Sequence, residues 1–179
     1  MNEDYIEKNH SFQTKRNFSK TLDNMSKKKQ EILKEFIHIC ACKACNEIDR
    51  VLDVLICKNL FLCNRQKTEF YLLMMPGDKP FKTKELPSQI GSARLSFAPE
   101  EYMEEYLDIH PGAVSVMGLM NDSDNHVRLL VDEDVLMGEY IGCHPCVNTS
   151  SLKIKTKDIT EIFLKAVHHD MTVVKLTGE

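Results

Sequence analysis

The stretch from Pro111 to Asp122 constrains the fold of this chain more than any other, because it places a proline, two glycines and an Asn-Asp turn close together. Gly112 and Gly118 allow backbone conformations, and a close approach of a ligand to the main chain, that a Cβ atom would block. The residues between them alternate as a short buried strand would: Ala113, Val114, Ser115 and Val116. This pattern indicates either a core strand with turn glycines or a bent strand that lines a pocket with mainly main-chain polar groups.

The size and composition of the chain are those of a globular domain. With 179 residues, of which 42% are hydrophobic and 28% charged, it is long enough for one domain with a full core, with or without a tail. No apolar run approaches the length of a membrane span. The acidic start, Met1–Asp4, lacks the basic-then-apolar order of a secretory signal, which predicts a cytoplasmic protein without a membrane partner.

The charge of the chain limits how it could bind nucleic acid. A net charge of −4 gives no bulk attraction to a polyanion, so any such role must depend on a local patch. One candidate is the basic segment from Lys15 to Lys34, for which a solvated helix face is an equally good interpretation. We expect residues 1–50 to form a basic helical extension, partly packed on the domain, and residues 51–179 to form the domain itself.

Seven cysteines, an odd number in a chain without an export signal, indicate a reducing compartment rather than a disulfide framework. Cys42-x-x-Cys45 and Cys143-x-x-Cys146 could together supply four zinc ligands, but roughly a hundred residues separate them, far more than in compact zinc modules. Cys143-His144-Pro145-Cys146 also resembles a thioredoxin-type redox motif, although a poor helix start follows it. We therefore predict packed thiols, with no metal and no cofactor, and keep zinc and redox chemistry as alternatives.

The order of the apolar patterns predicts a mixed-sheet α/β or α+β domain. Predicted strands cover residues 51–56, 60–63, 68–75, 126–132, 139–141, 151–155 and 171–176. Predicted helices cover residues 27–40, 83–89 and 99–107, residues 132–138 form a short helix or a turn, and a last helix begins at the capping box Asp158-x-x-Glu161. The second and third of these strands form a hairpin around the polar turn Asn64–Lys67.

Four segments resemble, in order and spacing, the motifs of the YbaK/ProX family of prolyl-tRNA editing domains, which are free-standing or inserted in prolyl-tRNA synthetase. They are Lys58–Leu62, Arg94–Ala98, Pro111–Asp122 and Cys143–Thr149. The resemblance covers residues 58–176, and the agreement of four separate motifs makes it specific. It implies the editing-domain fold of that family, a mixed and largely antiparallel curved sheet flanked by helices.

The same resemblance implies hydrolysis of alanine wrongly attached to proline tRNA. Binding alone separates residues that differ by one or two methylenes by only about 1–3 kcal/mol, so a second site that admits the smaller residue is needed. The implied partner is an aminoacyl-tRNA, gripped at the 3′ end of tRNA(Pro), and prolyl-tRNA synthetase is a further implied partner. No cofactor is implied.

The resemblance also implies roles for individual residues. Lys58 would contact the phosphate or ribose of the terminal adenosine, Gly112 would line the acyl pocket through its amide, and His144 would orient the substrate. The attacking water would be positioned by the substrate's own 2′-hydroxyl and by backbone groups, without a Ser-His-Asp arrangement or a thiolate. The other implied substrate-binding residues are Asn59, Val114, Ser115, Asn121 and Asn148, of which the last has pinning of its loop as an alternative role.

The chain departs from the family pattern at Val116 and Met117, where many relatives carry a proline and an aromatic residue. This departure leaves the amino-acid specificity open, so a deacylase for another small aminoacyl-tRNA is an alternative. A non-hydrolytic module that binds an aminoacyl-tRNA end or a synthetase is another. The two histidines near the end of the chain, His168 and His169, are predicted to lie at the surface.

Overall fold

Seven strands rich in β-branched and large apolar residues form the framework of the fold, which a computed structural model describes for residues 54–146 and 151–178. The strands are β1 Leu55–Asn64, β2 Phe70–Pro76, β3 Leu95–Phe97, β4 Val127–Asp132, β5 Tyr140–Cys143, β6 Leu152–Lys155 and β7 Met171–Val174. They form one sheet in the order β6-β5-β1-β2-β4-β7, and β3 pairs with the far end of β1. The predicted helix over residues 27–40 and the predicted boundary at residue 51 lie outside the described residues.

The predicted hairpin and the predicted mixed sheet are both confirmed. β1 and β2 pair antiparallel from Cys57–Pro76 to Cys63–Phe70, on either side of the polar turn. The β1–β3 and β5–β6 pairs are also antiparallel, whereas β1–β5, β2–β4 and β4–β7 are parallel. The long strand β1 therefore lies where the parallel and antiparallel parts of the described sheet meet.

Short helical segments connect the strands. They are the 3-10 helices Thr83–Glu85 and Val116–Met120, the π-helix Asp158–Phe163, and four α-helices: α1 Pro87–Ile90, α2 Glu100–Leu107, α3 Glu133–Met137 and α4 Leu164–Val167. The prediction for α2 is confirmed, because it begins directly after Pro99 and ends where Asp108 adopts a left-handed φ of 51°. No helix in the described ranges has the length and apolar character needed to cross a bilayer.

The predicted capping box of the last helix is wrong. Lys157, and not Asp158, occupies the N-cap of the π-helix, and no side chain caps that end with a hydrogen bond. Asp158 lies inside the helical segment, so its carboxylate is not placed to accept from the amides of a first turn. The π-helix continues directly into α4, and the two segments bury Ile159, Phe163, Leu164 and Val167 in the core, whereas Ile162 is 41% exposed.

Alternate residues along the strands point to opposite faces of the sheet, and both faces are covered. The first face, which carries Cys57 and Phe61 of β1, packs against α2, the 3-10 helix Val116–Met120 and the π-helix. The second face, which carries Leu62 of β1, packs against the segment from Phe81 to Leu95. Burial on both faces explains why β2 is apolar along its whole length instead of alternating.

The prediction of a buried strand at Val114 and Val116 is wrong, because the chain turns into the 3-10 helix Val116–Met120 there. Ser115 starts this helix: its side-chain oxygen accepts a hydrogen bond from the Met117 amide at 3.2 Å, and its carbonyl accepts from the Gly118 amide at 3.0 Å. Gly118 is required for packing, since a Cβ at this position would lie 2.4 Å from Cδ1 of the buried Ile109. Serine capping and close packing thus override the strand propensity of the valines.

Asp122 anchors the loop between that 3-10 helix and β4 from a buried position. Its carboxylate accepts hydrogen bonds from the amides of His126 at 2.9 Å and Val127 at 2.7 Å, and Nε2 of His169 lies 3.2 Å from Oδ2. Burial raises the pKa of Asp122, but the hydrogen bonds from His169 and the two amides outweigh this effect and lower the pKa overall. Asp122 is therefore a buried carboxylate with most of its acceptor capacity satisfied.

His169 contradicts the prediction that it lies at the surface, since only 5% of it is exposed. The exposed His168 adopts a left-handed φ of 58° at the end of α4, which turns the next residue inward. Nδ1 of His169 lies 2.9 Å from the carbonyl oxygen of Val167 and Nε2 faces Asp122, so both ring nitrogens have acceptors. His169 and Asp122 thus form a buried hydrogen-bonded pair.

We predict that Asp122→Asn lowers the free energy of unfolding by about 3 kcal/mol at pH 7, because it replaces a buried oxygen acceptor of the His126, Val127 and His169 contacts by an amide nitrogen, which cannot accept. Because the folded pKa of Asp122 lies below its ordinary value of 3.8, the stabilisation is present above that pH and is lost as the pH falls below it. Urea unfolding between pH 3 and 7 measures both effects. The exposed neighbour Asp124→Asn is the control, and a change in Asp122→Asn below about 0.5 kcal/mol would contradict this role of the carboxylate.

Candidate functional site

The edge of β1 that faces away from β2 has no strand partner over its central residues, 57–61, in the described part of the chain. β5 pairs with this edge only at Leu55 and Ile56, and β3 pairs with it only from Leu62 to Asn64. Alternate main-chain groups of β1 turn away from β2, as the Phe61 carbonyl does when it accepts from the Ala98 amide at 2.9 Å. By this alternation, the main-chain N–H and C=O of residue 59 face the opening between β5 and β3, which we call the β1 gap.

Lys58, the first of the predicted catalytic residues, lies at the β1 gap with a fixed side chain. Its ammonium group donates to the carbonyl oxygens of Gly77, at 3.2 Å, and of Lys79. An ammonium group has three N–H donors, so these two contacts leave one donor for a ligand. Both partners are neutral, and the positive charge of Lys58 is therefore not cancelled by either of them.

The carbonyl that holds Lys58 belongs to a residue that is itself fixed by a buried carboxylate. Nζ of Lys79 lies 2.6 Å from Oδ2 of the fully buried Asp132, 2.6 Å from Oδ2 of Asp134, and 2.9 Å from the Leu176 carbonyl oxygen. Burial lowers the pKa of Lys79, but the hydrogen bonds and charges of the two aspartates outweigh it and raise the pKa. The turn after β2 is thereby fastened to the sheet, and Lys58 is fastened to the turn.

A surface groove of about 540 Å³ begins at Lys58. Its lining consists of three lysines, two phenylalanines and two smaller residues: Lys58, Lys82, Lys84, Phe81, Phe97, Leu60 and Thr83. None of these side chains is acidic, so the groove is a local basic patch on a chain with a net charge of −4. We call it the lysine–phenylalanine groove. Neither Gly112 nor His144 belongs to its lining.

Asn59, the second predicted residue of the motif, has a buried side-chain oxygen that accepts no hydrogen bond from the residues that the structure describes. It points to the first face of the sheet, because neighbouring β1 residues alternate between faces and Cys57 and Phe61 belong to the core there. A buried amide oxygen without a donor costs about 1–3 kcal/mol, and such groups in native folds call for an explanation. A ligand donor would satisfy it.

β5 runs parallel to β1 and carries His144 toward the same end of the sheet as Lys58. The last β1–β5 pair joins Ile56 to Gly142, and both predicted catalytic residues lie two positions beyond that pair. The hydroxyl of Ser115 donates to the main-chain carbonyl of His144. This hydrogen bond joins the Pro111–Asp122 stretch to the loop of His144. In the sequence, only the family resemblance connects these two segments.

Gly112 lies in an exposed turn with a φ of 87°, a conformation that favours glycine. The turn is closed by a hydrogen bond of 3.1 Å from the Ala113 amide to the His110 carbonyl. Val114 follows it, half-buried against the core of the first face. Gly112 is therefore required for the local backbone whether or not its amide contacts a substrate.

Asn121 is placed less favourably for the predicted substrate contact. Nδ2 of Asn121 donates to the Leu107 carbonyl at 2.6 Å, which fastens the end of α2 to the 3-10 helix. Asn121 also lines a separate polar cavity of about 220 Å³, together with Glu105 and Asp124, and not the groove at Lys58. Asn148 lies outside the described residues.

The geometry of the described cysteines favours the prediction of packed thiols. Cys57 and Cys143 are buried in the core of the first face. Burial raises the thiol pKa of Cys57 and of Cys146 to about 12, and the Asp108 charge adds to the effect at Cys146. A thiol with so high a pKa is a poor nucleophile and a poor metal ligand at neutral pH. The zinc alternative also needed Cys42 and Cys45, which lie outside the described residues.

One exposed cluster of described residues has the donor atoms that a metal ion would need: Glu100, Glu104 and His110. Nδ1 of His110 lies 2.7 Å from Oε1 of Glu104, and this contact accounts for the approach of the two side chains. Exposed acidic residues in the first turn of a helix are also expected from the helix dipole alone. The cluster therefore adds no metal centre to the site.

Several residues of the groove were not predicted as functional. Phe97 was part of the quoted Arg94–Ala98 motif but received no role, and Phe81, Lys82 and Lys84 were assigned only to a predicted loop and helix start. The available signal was the order Phe-Lys-Thr-Lys at residues 81–84, in which cations alternate next to an aromatic residue. Their approach to Lys58 depends on how the segment folds over the second face, which no local pattern predicts.

The amino-acid sequence of the chain matches a known family along most of its length. The family model for the aminoacyl-tRNA editing domain matches residues 40–162. The chain therefore belongs to the aminoacyl-tRNA editing domain family, which confirms the family resemblance.

Curated relatives agree with this assignment. The chain is 33% identical over 107 residues to the prolyl-tRNA editing protein ProX of Acetoanaerobium sticklandii, a match that covers 60% of this chain and 65% of ProX. It is 31% identical over 121 residues to the prolyl-tRNA synthetase associated domain-containing protein 1 of Mus musculus, covering 65% of this chain and 70% of that protein. The match to ProX thus spans just under two thirds of that protein's length.

Solved structures support the fold. A structure described as that of a candidate trans-editing enzyme for prolyl-tRNA synthetase superposes with a TM-score of 0.59 at 13% sequence identity, covering 86% of this chain and 100% of that one. The crystal structure of hypothetical protein APE2540 gives a TM-score of 0.57 at 16% identity, covering 80% and 98%. At such low identities the similarity is one of fold alone.

We predict that Ser115→Ala lowers the free energy of unfolding by about 1–2 kcal/mol, because it removes a helix cap and a buried hydrogen bond to the His144 carbonyl. The same change should shift the backbone amide resonances of Cys143, His144 and Cys146. Urea unfolding and two-dimensional NMR measure the two effects. Ser123→Ala, in an exposed turn nearby, is the matched control. If these three amide resonances stayed in place, the connection between the two segments would be disproved.

Proposed function

We propose that this protein is a trans-acting aminoacyl-tRNA deacylase that removes alanine from mischarged tRNA(Pro). The observation that carries the proposal is the concentration of ligand-directed groups in the middle of β1, at the β1 gap. These groups are a lysine with a spare donor, a buried amide oxygen without a donor, and a strand edge without a strand partner. The names of the relatives, a prolyl-tRNA editing protein and a synthetase-associated domain, support the substrate class and suggest association with prolyl-tRNA synthetase.

In the proposed complex, Lys58 holds a phosphate or ribose oxygen of the terminal adenosine. Two carbonyl oxygens fix its ammonium group in advance, so little side-chain freedom is lost when the third donor binds the ligand. The buried oxygen of Asn59 accepts a hydrogen bond from the amino group or ester end of the substrate, which removes the cost of leaving that oxygen unpaired.

The acyl pocket is formed between the Gly112 turn and the loop of His144, which the Ser115 hydroxyl joins. A main-chain amide in the glycine turn faces the acyl group, and His144 orients the substrate without acting as a general base. Val114 supplies an apolar wall from the half-buried start of the 3-10 helix. A cavity with main-chain walls is rigid, and rigidity is what allows it to exclude a ring while admitting a methyl group.

The proposed reaction is ester hydrolysis without a covalent enzyme intermediate. A water molecule, held by the 2′-hydroxyl of the substrate and by main-chain groups, attacks the ester carbonyl carbon. The bond from that carbon to the ribose oxygen breaks, the ribose oxygen takes up a proton, and the amino acid leaves as a carboxylate. Cys57 and Cys146 are unsuited to act as the nucleophile, because burial raises the pKa of both thiols to about 12.

Val116 and Met117, where the chain departs from the family pattern, affect the size of this pocket through packing in the core. Both side chains are buried in the core, at 0% and 5% exposure, within the 3-10 helix that follows Ser115. Their volumes set the position of that helix against the first face, and so the size of the pocket, without contact to the substrate. The preference for alanine over cysteine or serine is thus the part of the proposal that depends most on packing.

We predict that the purified protein releases alanine from alanyl-tRNA(Pro) and leaves prolyl-tRNA(Pro) intact. The measurement is a deacylation panel with alanyl-, cysteinyl-, seryl- and prolyl-tRNA, in which each amino acid carries a label and enzyme-free hydrolysis is subtracted. Alanine release with the proline ester spared supports size exclusion. Binding of all four RNAs without turnover would refute the deacylase and support a binding module instead.

We predict that Lys58→Ala lowers kcat/KM for alanyl-tRNA(Pro) about 100-fold or more, because it removes a fixed charged donor from the substrate. Lys58→Met, which keeps the aliphatic stem, should do the same and excludes an effect of lost packing. Lys165→Ala, an exposed lysine of α4, is the control and should leave kcat/KM unchanged. Urea unfolding verifies that the variants fold. Full activity in folded Lys58→Met would remove the assigned role.

A further inference from the structure

The lysine–phenylalanine groove contains an exposed aromatic side chain that the proposed reaction does not use. Phe97 is 62% exposed, although phenylalanine is normally buried, and it forms one wall of the groove. Its ring meets Phe81 edge to face, with centroids 6.3 Å apart and planes at 74°. An edge contact leaves the face of the exposed ring open to a planar ligand.

Phe97 is presented on a rigid support. It is the last residue of β3, where it pairs with Leu62 of β1, and the next amide, of Ala98, donates to the Phe61 carbonyl at 2.9 Å. Leu95 of the same strand is buried in the core of the second face. A ring held in this way loses little conformational freedom when it stacks on a ligand.

The positive charges around the two phenylalanine rings favour a polyanion as the ligand of the lysine–phenylalanine groove. Lys82 and Lys84 are exposed at the groove, and Lys58 lies at its inner end with one free donor. No acidic side chain belongs to the lining, whereas the whole chain has a net charge of −4. A local excess of cations beside an aromatic face is the arrangement that binds single-stranded nucleic acid, with phosphates at the lysines and bases on the ring.

We propose that the lysine–phenylalanine groove binds the unpaired nucleotides that precede the acylated adenosine, with one base stacked on Phe97 and phosphates at Lys82 and Lys84. The proposal rests on the proposed function for the identity of the RNA. Lys58 lies both at the β1 gap and in the groove, so a strand whose end is held at the gap continues directly into the groove. The volume of about 540 Å³ falls within the range of roughly 300–1,000 Å³ typical of sites for organic ligands and accommodates a nucleotide.

A single strand is favoured over a double helix at this position. The open feature is the face of one ring inside a groove, and only an unstacked base can lie flat on it. Stacking on an aromatic ring tolerates any base, so the contact supplies affinity and alignment of the end and no reading of sequence. Discrimination between tRNAs would then come from other parts of the protein or of the RNA.

The first test measures binding of short RNA that carries no amino acid. Fluorescence anisotropy with a labelled single-stranded tetranucleotide ending in CCA should show that Phe97→Ala weakens binding about 5-fold or more, as expected for the loss of one stacked base. Phe97→Tyr should bind as the unmodified protein does. The control is Met137→Ala, a residue of α3 that is 86% exposed and lies outside the groove. Unchanged binding by Phe97→Ala would overturn the proposal.

Two further arms separate stacking from simple charge attraction. A strand with abasic sugars before the terminal adenosine should bind the unmodified protein and Phe97→Ala equally. Lys82→Ala and Lys84→Ala should each reduce the slope of log K against log salt by about 0.7, the value for one phosphate contact in a single strand. Lys165→Ala should leave that slope unchanged. A Phe97 effect of the same size on the abasic strand would overturn the stacking.

A kinetic arm distinguishes failure of this proposal from failure of the proposed function. Phe97→Ala should raise KM for an alanylated RNA hairpin with an unpaired 3′ end, with kcat kept, and should not affect hydrolysis of alanyl-adenosine. If the unmodified protein and Phe97→Ala had equal KM values for the hairpin, the stacking site would be overturned and the proposed deacylase activity would be unaffected. Phe97-dependent RNA binding without hydrolysis of either ester would support the groove and refute the deacylase.

Discussion

The candidate site depends on an unpaired length of one edge of β1, which lies, among the residues that the structure describes, between those that pair with β5 and those that pair with β3. β5 pairs parallel at the beginning of that edge and β3 pairs antiparallel at its end, so the main chain between them faces neither strand. A strand edge normally invites association with another chain, and natural proteins cover or interrupt such edges. Here the open length is short, it is flanked by paired residues on both sides, and β2 pairs with the opposite edge throughout. The result is a rigid recess with main-chain donors and acceptors.

The two lysines near this recess are used in opposite ways, and the difference follows from their partners. Lys79 contacts the carboxylates of Asp132 and Asp134, which neutralise its charge and fix the turn after β2. The ammonium group of Lys58 donates to two carbonyl oxygens, one of which belongs to Lys79, so it is held in place by neutral groups that leave its charge in place. The buried carboxylate of Asp132 thus fixes Lys79 and neutralises its charge. Lys79 in turn fixes Lys58, whose own charge can attract an anion. Breaking the Asp132 contact would disturb the position of Lys58 without touching any ligand.

The sequence patterns predicted the elements but not how they meet. The hairpin and α2 were predictable because a polar turn and a helix-starting proline are local signals. The strand at Val114 and Val116 was mispredicted because Ser115 and Gly118 form a capped 3-10 helix that only packing against Ile109 explains. The burial of His169 was missed because its partner Asp122 lies far away in sequence. Within the site, family motifs pointed to Lys58, Asn59 and His144. The roles of Phe81, Lys82 and Lys84 depend on a segment folding over the second face.

An acidic chain that acts on RNA must bind through short-range contacts, and the groove satisfies that requirement. At physiological salt the charge of a lysine is screened beyond about 8 Å, so the net charge of −4 does not prevent three neighbouring lysines from holding phosphates that touch them. The same net charge does, however, remove long-range electrostatic attraction between the chain and the body of a tRNA. In the proposed complex, recognition by this part of the chain therefore concentrates on the end of the RNA, where the exposed Phe97 ring and the fixed ammonium group of Lys58 line one groove. An editing site of this kind selects by the shape of the acylated end and leaves the choice of tRNA to contacts elsewhere.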